Sequence, residues 1–260
     1  MTHIIEANHL NLYYNNRLIL DEISFNIDEN DFITIMGSNG SGKSLLAKVI
    51  IGLLPYKGSI KFQNQEISTL DSESIVSNIS LIMDDTDSLY IESTVGDELM
   101  GISNDSKLIK KVVVELNIQD LLDRDPRTLS VGEQQLINVA CAILEQKKII
   151  ILDNALCMLD QYNKNRVLSL LKKINAKGTI IVNLTQDCED LLFSKRVIVL
   201  DGNSIVIDES VKTAVTKEKE FYGARINLPF MAELCTKLKY YNIVSRIELD
   251  KMKLVSDIWK

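Results

Sequence analysis

Residues 37–44 read GSNGSGKS, and the segments on either side give the stretch its meaning. Before it, FITIM (residues 32–36) is a short continuous apolar run with the length and branching of a buried strand. After it, SLLAKVIIGLL carries apolar residues at helical spacing and stops at Gly52 and Pro55. Strand, glycine-rich loop and helix in this order satisfy the G-x-x-x-x-G-K-[ST] pattern in the context that makes it informative. Glycines let the backbone turn so that successive N–H groups face phosphate oxygens, and the helix N-terminus adds partial positive charge. Gly37, Ser38, Asn39, Gly40, Ser41, Gly42 and Lys43 are the expected nucleotide cradle. Lys43 would reach the β- and γ-phosphates, and the Ser44 hydroxyl would ligate Mg²⁺.

Upstream, ANHLNLYY and ILDEISFNIDENDFITIMG alternate apolar and polar residues around Asp/Asn turns, which predicts short antiparallel strands leading into the buried one. Tyr14 on this opening sheet is either an adenine-stacking residue or an ordinary strand tyrosine. Downstream, GSIKFQ and ISLIMD read as strands, and a polar helical stretch over residues 94–122 predicts an inserted helical subdomain within about 85–145. The α/β pattern resumes with KKIIILD, GTIIVNL and RVIVLDGNSIVID, whose continuous β-branched runs suit strands covered on both faces. The DG in the last of these signals a hairpin. Residues 1–215 form one expected domain and 216–260 a C-terminal helical region. There, Pro229 starts a helix with Phe230, Leu234, Leu238 and Tyr241 along one face, packed either on its own domain or against another subunit.

The whole chain narrows the function classes. Its 260 residues, 46% of them hydrophobic, suffice for a full core. The net charge of -7, without a lysine or arginine run, argues against a nucleic-acid partner. No apolar run approaches the roughly 20 residues of a membrane span, and MTHIIEANHL is too polar and acidic for a signal peptide. Cys141, Cys157, Cys188 and Cys235 lie far apart, which suits a reducing compartment and buried apolar roles, with neither disulfide nor zinc expected.

With GSNGSGKS, LSVGEQQ (residues 129–135) and IIILDNALCMLD (residues 149–160) in this order, the chain resembles the ATP-binding cassette subunit of ABC transporters over about its first 210 residues. The resemblance implies an α/β P-loop NTPase fold with an N-terminal antiparallel β subdomain, an inserted helical subdomain and a short C-terminal helical appendage. In that family the loop is Walker A, the strand ending at Asp153 is Walker B with its metal-side carboxylate, and the D-loop falls on CMLD, ending at Asp160. LSVGE stands where the family has its LSGGQ signature.

Within the family, MDDTDSLYIESTVGDELMG and LPFMAELCTKLK look most like the ATP-binding subunits of energy-coupling factor importers. Such importers take up vitamins or metal ions with two cassettes, a transmembrane coupling subunit and a substrate-binding membrane subunit. The resemblance thus implies ATP and Mg²⁺ as cofactors, a second ABC ATP-binding subunit as partner, C-terminal dimerisation, and a peripheral place on the cytoplasmic face of the membrane.

Ser130 and Glu133 form S-x-x-E ahead of the helix QQLINVACAIL, which on local physics is a capping box. The resemblance also places Ser130 and Gly132 against the γ-phosphate of ATP on the opposite subunit. Val131 and Glu133 depart from the signature, and a carboxylate beside a triphosphate is tolerable only if it turns away into the capping role.

Three further departures surround the chemistry. Asn154 stands where the family has its catalytic glutamate, and an amide holds a water but cannot take its proton. In VNLTQD (residues 182–187), Gln186 replaces the switch histidine, keeping one hydrogen bond and losing the charge. Asp84 in LIMDD replaces the Q-loop glutamine and adds a carboxylate near the metal. Loss of a positioned general base removes about 10² to 10⁴ in rate, and losses within one catalytic unit do not add.

Three functions compete. The favoured one is an importer subunit that binds ATP, hydrolyses it poorly at its own site and pairs with a different cassette. The second is an ordinary ATPase subunit using Asp84 or Asp160 as a non-standard base. The third is a soluble cassette protein of translation or chromosome maintenance. Translation factors of the family usually hold two cassettes in one chain, and chromosome proteins place a very long coiled coil between the two motifs, for which Ser44 to Leu129 leaves no room.

Overall fold

A computed structural model describes residues 3–84 and 90–259; the start of the predicted helical insertion at about 85, and residues 85–89 of MDDTDSLYIESTVGDELMG, lie outside the described residues. The strands are β1 (His3–Tyr14), β2 (Arg17–Asp28), β3 (Phe32–Gly37), β4 (Lys57–Phe62), β5 (Gln65–Glu66), β6 (Ile79–Met83), β7 (Ile149–Asp153), β8 (Ile180–Thr185), β9 (Arg196–Asp201) and β10 (Ser204–Ser210). The helices are α1 (Lys43–Ile50), α2 (Ser72–Val76), α3 (Val95–Ile102), α4 (Ser106–Leu116), α5 (Val131–Leu144), α6 (Gln161–Asn175), α7 (Val211–Ala214), α8 (Glu218–Gly223), α9 (Phe230–Tyr240) and α10 (Lys251–Ile258).

β1 and β2 form the antiparallel pair predicted at the N-terminus, joined through Asn15 and Asn16, both at positive φ as a tight hairpin turn requires. With β4 and β5 they make a four-stranded sheet in the order β2-β1-β4-β5. The second sheet has six strands in the order β10-β9-β3-β8-β7-β6, parallel except for β10.

The continuous apolar runs of the central strands serve two cores at once, because successive side chains leave a strand on opposite faces. Ile33, Ile35, Ile149, Ile151, Ile180 and Val182 face α1 and the antiparallel sheet. Ile150, Leu152 and Ile181 face the other way, onto α5, α6 and the helical insertion. In that insertion α4 starts at an Asp105 cap accepting from the N–H groups of Lys107 and Leu108, and ends at Asn117 in the left-handed conformation.

A third core lies at the β9–β10 edge, where Val197, Val199 and Ile207 meet Phe221, Ile226, Leu228 and Ala232 from the C-terminal region. α9 packs through Ala232 and Cys235, while Phe230, Tyr240 and Tyr241 are exposed. The turn between β9 and β10 is pinned to β2: Asp21 N–H donates to the Asn203 carbonyl at 2.8 Å, and the Asn203 amide donates to the Leu18 carbonyl at 3.1 Å. The expectation of buried cysteines holds for Cys235 and fails for Cys157, which is exposed because it lies on the loop between β7 and α6 rather than within either.

Candidate functional site

Parallel register brings four strand ends into line. Met36 of β3 lies opposite Thr185 of β8, Leu184 of β8 opposite Asp153 of β7, and Asp153 opposite Met83 of β6. The residues that follow these positions are Gly37, Gln186, Asn154 and Asp84, so all four emerge along the carboxyl edge of one sheet. That edge is where open α/β sheets bind their ligands.

The phosphate loop closes the edge. Gly40 and Gly42 have φ of 82° and 96°, conformations that side chains strain to adopt. A Cβ on Gly42 would also stand 2.9 Å from Ile19 Cγ2, and one on Gly37 would stand 2.9 Å from the Leu200 carbonyl. Gly42 lets the loop pass directly beneath β2, and the hairpin that carries Tyr14 is therefore its neighbour. Tyr14 itself is half-exposed at the end of β1.

At the start of α1, Lys43 is buried, and its ammonium donates to the carbonyls of Gly37 at 2.7 Å and Ser38 at 3.1 Å. Burial pushes its pKa down, against the opposing pull of Asp153. The Ser44 hydroxyl donates to Asp153 Oδ1 at 2.8 Å, so two residues 109 positions apart stand side by side at a helix N-terminus. Burial pushes the Asp153 carboxyl up and the charge of Asp84 adds to this, while the Ser44 hydrogen bond and Lys43 oppose it. Hydroxyl and carboxylate oxygens at one point, beside an ammonium and inward-turning amides, suit a hard divalent cation carried on a polyphosphate. Among the described residues no three His, Cys, Asp or Glu side chains gather to hold a metal without such a ligand.

Asn154 has φ of 51°, a left-handed conformation that asparagine tolerates better than most side chains. Its backbone N–H donates to the Leu184 carbonyl at 2.9 Å, which ties the residue to the neighbouring strand. Gln186 is exposed, and its amide donates to the Asn39 side-chain carbonyl, so the residue at the switch position reaches the phosphate loop. Asp84 is exposed and stands near enough to Asp153 for its charge to be felt there.

Ser130, Gly132 and Asp160 form a second group. Ser130 caps α5 in a complete capping box, accepting from the Glu133 N–H while the Glu133 carboxylate accepts from the Ser130 N–H at 2.8 Å. Arg124 draws the same carboxylate aside at 3.3 Å. Gly132 lies against the 155–160 loop, since a Cβ there would stand 3.2 Å from the Met158 carbonyl. Asp160 caps α6, accepting from Asn163 N–H at 2.9 Å and from its side chain at 2.7 Å. Ser130 and Asp160 are both exposed.

Two polar features escape the sequence reading. Gln135, wholly buried on α5, donates to the Met83 carbonyl at 2.9 Å and so fixes the strand end that precedes Asp84. Its signal was a polar residue at an inward helical position. Lys164 is buried between Asp187 and Asp190, immediately behind Gln186. Its only signal was the pair of acids after the glutamine.

The ABC transporter family pattern matches residues 20–157. The chain is 29% identical over 252 residues to the energy-coupling factor transporter ATP-binding protein EcfA of Malacoplasma penetrans, covering 93% of this chain and 88% of that protein. It is 28% identical over 254 residues to EcfA1 of Bacillus subtilis, covering 94% and 90%. In fold it resembles cbiO1 of Clostridium perfringens, part of the ABC transporter complex cbiONQ, with a TM-score of 0.74 at 22% identity over 91% of this chain and all of that one. A bacterial Atm1-family ABC exporter with ATP bound gives 0.75 at 19% identity over 85% of this chain and 41% of the exporter.

Proposed function

The chain belongs to the ABC transporter family, and from that premise we propose that it is an ATP-binding subunit of an energy-coupling factor importer, with hydrolysis impaired at its own site. The observation that carries this reading is the contrast at one sheet edge: Ser44 and Asp153 meet at 2.8 Å, and the next residue, Asn154, offers no base. Mg·ATP would be held by the loop from Gly37 to Ser44 with Asp153, and with Tyr14 beside the base. The bound Mg²⁺ would supply charge neutralisation on the phosphates. Asn154 would hold a water by hydrogen bonds and Gln186 would donate to the terminal phosphate, with no group taking the proton.

The likeness to EcfA proteins supports an importer for vitamins or metal ions. No helix among the described residues is long and apolar enough to cross a membrane. In such an importer a transmembrane coupling subunit and a substrate-binding membrane subunit would be the partners, with this chain peripheral on the cytoplasmic face. A groove of about 650 Å³, lined by apolar Ile51, Leu53, Ile75 and Met83 and by polar Asn138 and Glu145, suits an amphipathic segment of the coupling subunit. Its wall β6 runs straight to Asp84, which would link that partner to the nucleotide. Exposed Phe230, Tyr240, Tyr241 and Trp259 support the C-terminal region as a dimer contact. The second cassette would be a different chain, whose ATP Ser130 and Gly132 would meet.

The competing reading, a fully active subunit with a non-standard base, has Asp84 in its favour, because that carboxylate stands at the same edge. Asp160 is occupied in capping α6. Phosphate release by the purified full chain, alone, separates the two. Release near background with retained nucleotide binding is expected; appreciable turnover that Lys43→Ala abolishes would overturn the impaired-site reading.

A further inference from the structure

Lys164 is a lysine without an obvious reason to be buried. Its side chain is 6% exposed, on the second turn of α6, with its ammonium 2.6 Å from Asp187 Oδ2 and 2.8 Å from Asp190 Oδ1. Asp190, also buried, accepts from the Asn183 amide at 3.1 Å. Burial works against the charge on Lys164, and Asp190 and Asp187 outweigh it, so its pKa is raised. Well-packed apolar residues commonly stabilise such a place at least as well as a buried ion cluster does, so stability alone does not account for it.

Its position does. Asp187 directly follows Gln186, which touches the phosphate loop through Asn39. At the other end, Lys164 stands at the start of α6, four residues after its Asp160 cap, where the 155–160 loop enters the helix. That loop in turn lies under Gly132 through the Met158 carbonyl.

We propose that Lys164 is a positioning residue that ties the Gln186 loop to the start of α6, where the 155–160 loop ends, so that nucleotide contact at Gln186 is passed to the surface formed by Asp160, Ser130 and Gly132. The inference rests on the nucleotide-binding reading above. Without the clamp the phosphate loop should still hold nucleotide, since among the described residues no hydrogen bond joins Lys164 to Lys43, Ser44 or Asp153. What is lost is the response of the second surface.

Hydrogen–deuterium exchange on the full chain, with and without Mg·ATP, tests this. In the wild type, nucleotide should slow exchange both at residues 37–44 and, about fivefold, at 156–163. In Lys164→Met the slowing at 37–44 should persist and that at 156–163 should fall below about twofold, with Lys164→Arg restoring it. Equal slowing at 156–163 in wild type and Lys164→Met, or none there in the wild type while 37–44 is protected, overturns the clamp. No protection at 37–44 in the wild type instead overturns nucleotide binding. Should Lys164→Met not fold, Asp187→Ala keeps the Lys164–Asp190 pair, removes the side-chain link next to Gln186, and carries the same expected and overturning outcomes.

Discussion

The loop from Gly37 to Ser44 and the three strand ends beside it share one sheet edge, yet they answer to different demands. The loop keeps every group needed to hold a triphosphate: left-handed glycines, a buried ammonium, and a hydroxyl already aligned with Asp153. The strand ends carry an amide at 154, an amide at 186 and an added carboxylate at 84, none of which both takes a proton and steadies charge on the leaving phosphate. On the proposed reading, holding a nucleotide and cutting it are separable properties of one edge.

The sharpest way to break that contrast is to restore the missing groups. Asn154→Glu with Gln186→His should raise ATP turnover of the assembled complex by about 10²-fold or more if the absent base and switch limit the rate. No gain in a steady-state phosphate assay would move the cause to Asp84 or to the signature. The introduced glutamate has to adopt the φ of 51° held by Asn154, which costs about 1 kcal/mol or more of stability whatever the turnover.

The holding half is tested by Lys43→Ala, which should weaken nucleotide binding about 10- to 100-fold, as expected for loss of a charged hydrogen-bonding group. Titration of a fluorescent nucleotide reads this directly. Gly42→Ala should destabilise the fold by about 1–3 kcal/mol through its positive φ and the nearby Ile19 methyl, visible as a lower urea midpoint.

The smallest effect lies at the signature. Hydrogen bonds from Ser130 hold the Glu133 carboxyl below its ordinary value, with Arg124 assisting. A carboxyl with a lower pKa folded than unfolded stabilises the fold above its ordinary value and loses this as pH falls through the folded one. The melting temperature of the wild type should therefore exceed that of Glu133→Gln at neutral pH, and the gap should narrow as pH falls through the lowered folded value. A gap that persisted in acid would mean that the Glu133 charge is not what stabilises the start of α5.

The central strands and the phosphate loop were legible because their signals are local. A continuous β-branched run such as IIILD serves two cores, and a glycine loop between strand and helix has one common use. The face of α9 divides by size: Phe230 and Tyr241 stand outward, Leu234 and Leu238 are half-buried, and small Ala232 and Cys235 make the close approach to the domain. Lys164 was illegible because QYNKNR reads as a solvated helix face, and the acids that bury it come from beyond β8, 23 and 26 positions later. Asn154 was legible as an amide following the strand that ends at Asp153, but not as a residue suited to a left-handed turn.

The pinned turn between β9 and β10 has a practical bearing on the isolated chain. The edge strand β10 bears Asp208 and Glu209, paired with Arg196 and Lys217, and its end is fastened to β2 through Asn203. Such an edge gives another copy's strand little to add to. Clumping during purification without partner subunits should instead track the outward aromatics Tyr240, Tyr241 and Trp259, and polar replacements there are the first choice for a tractable preparation.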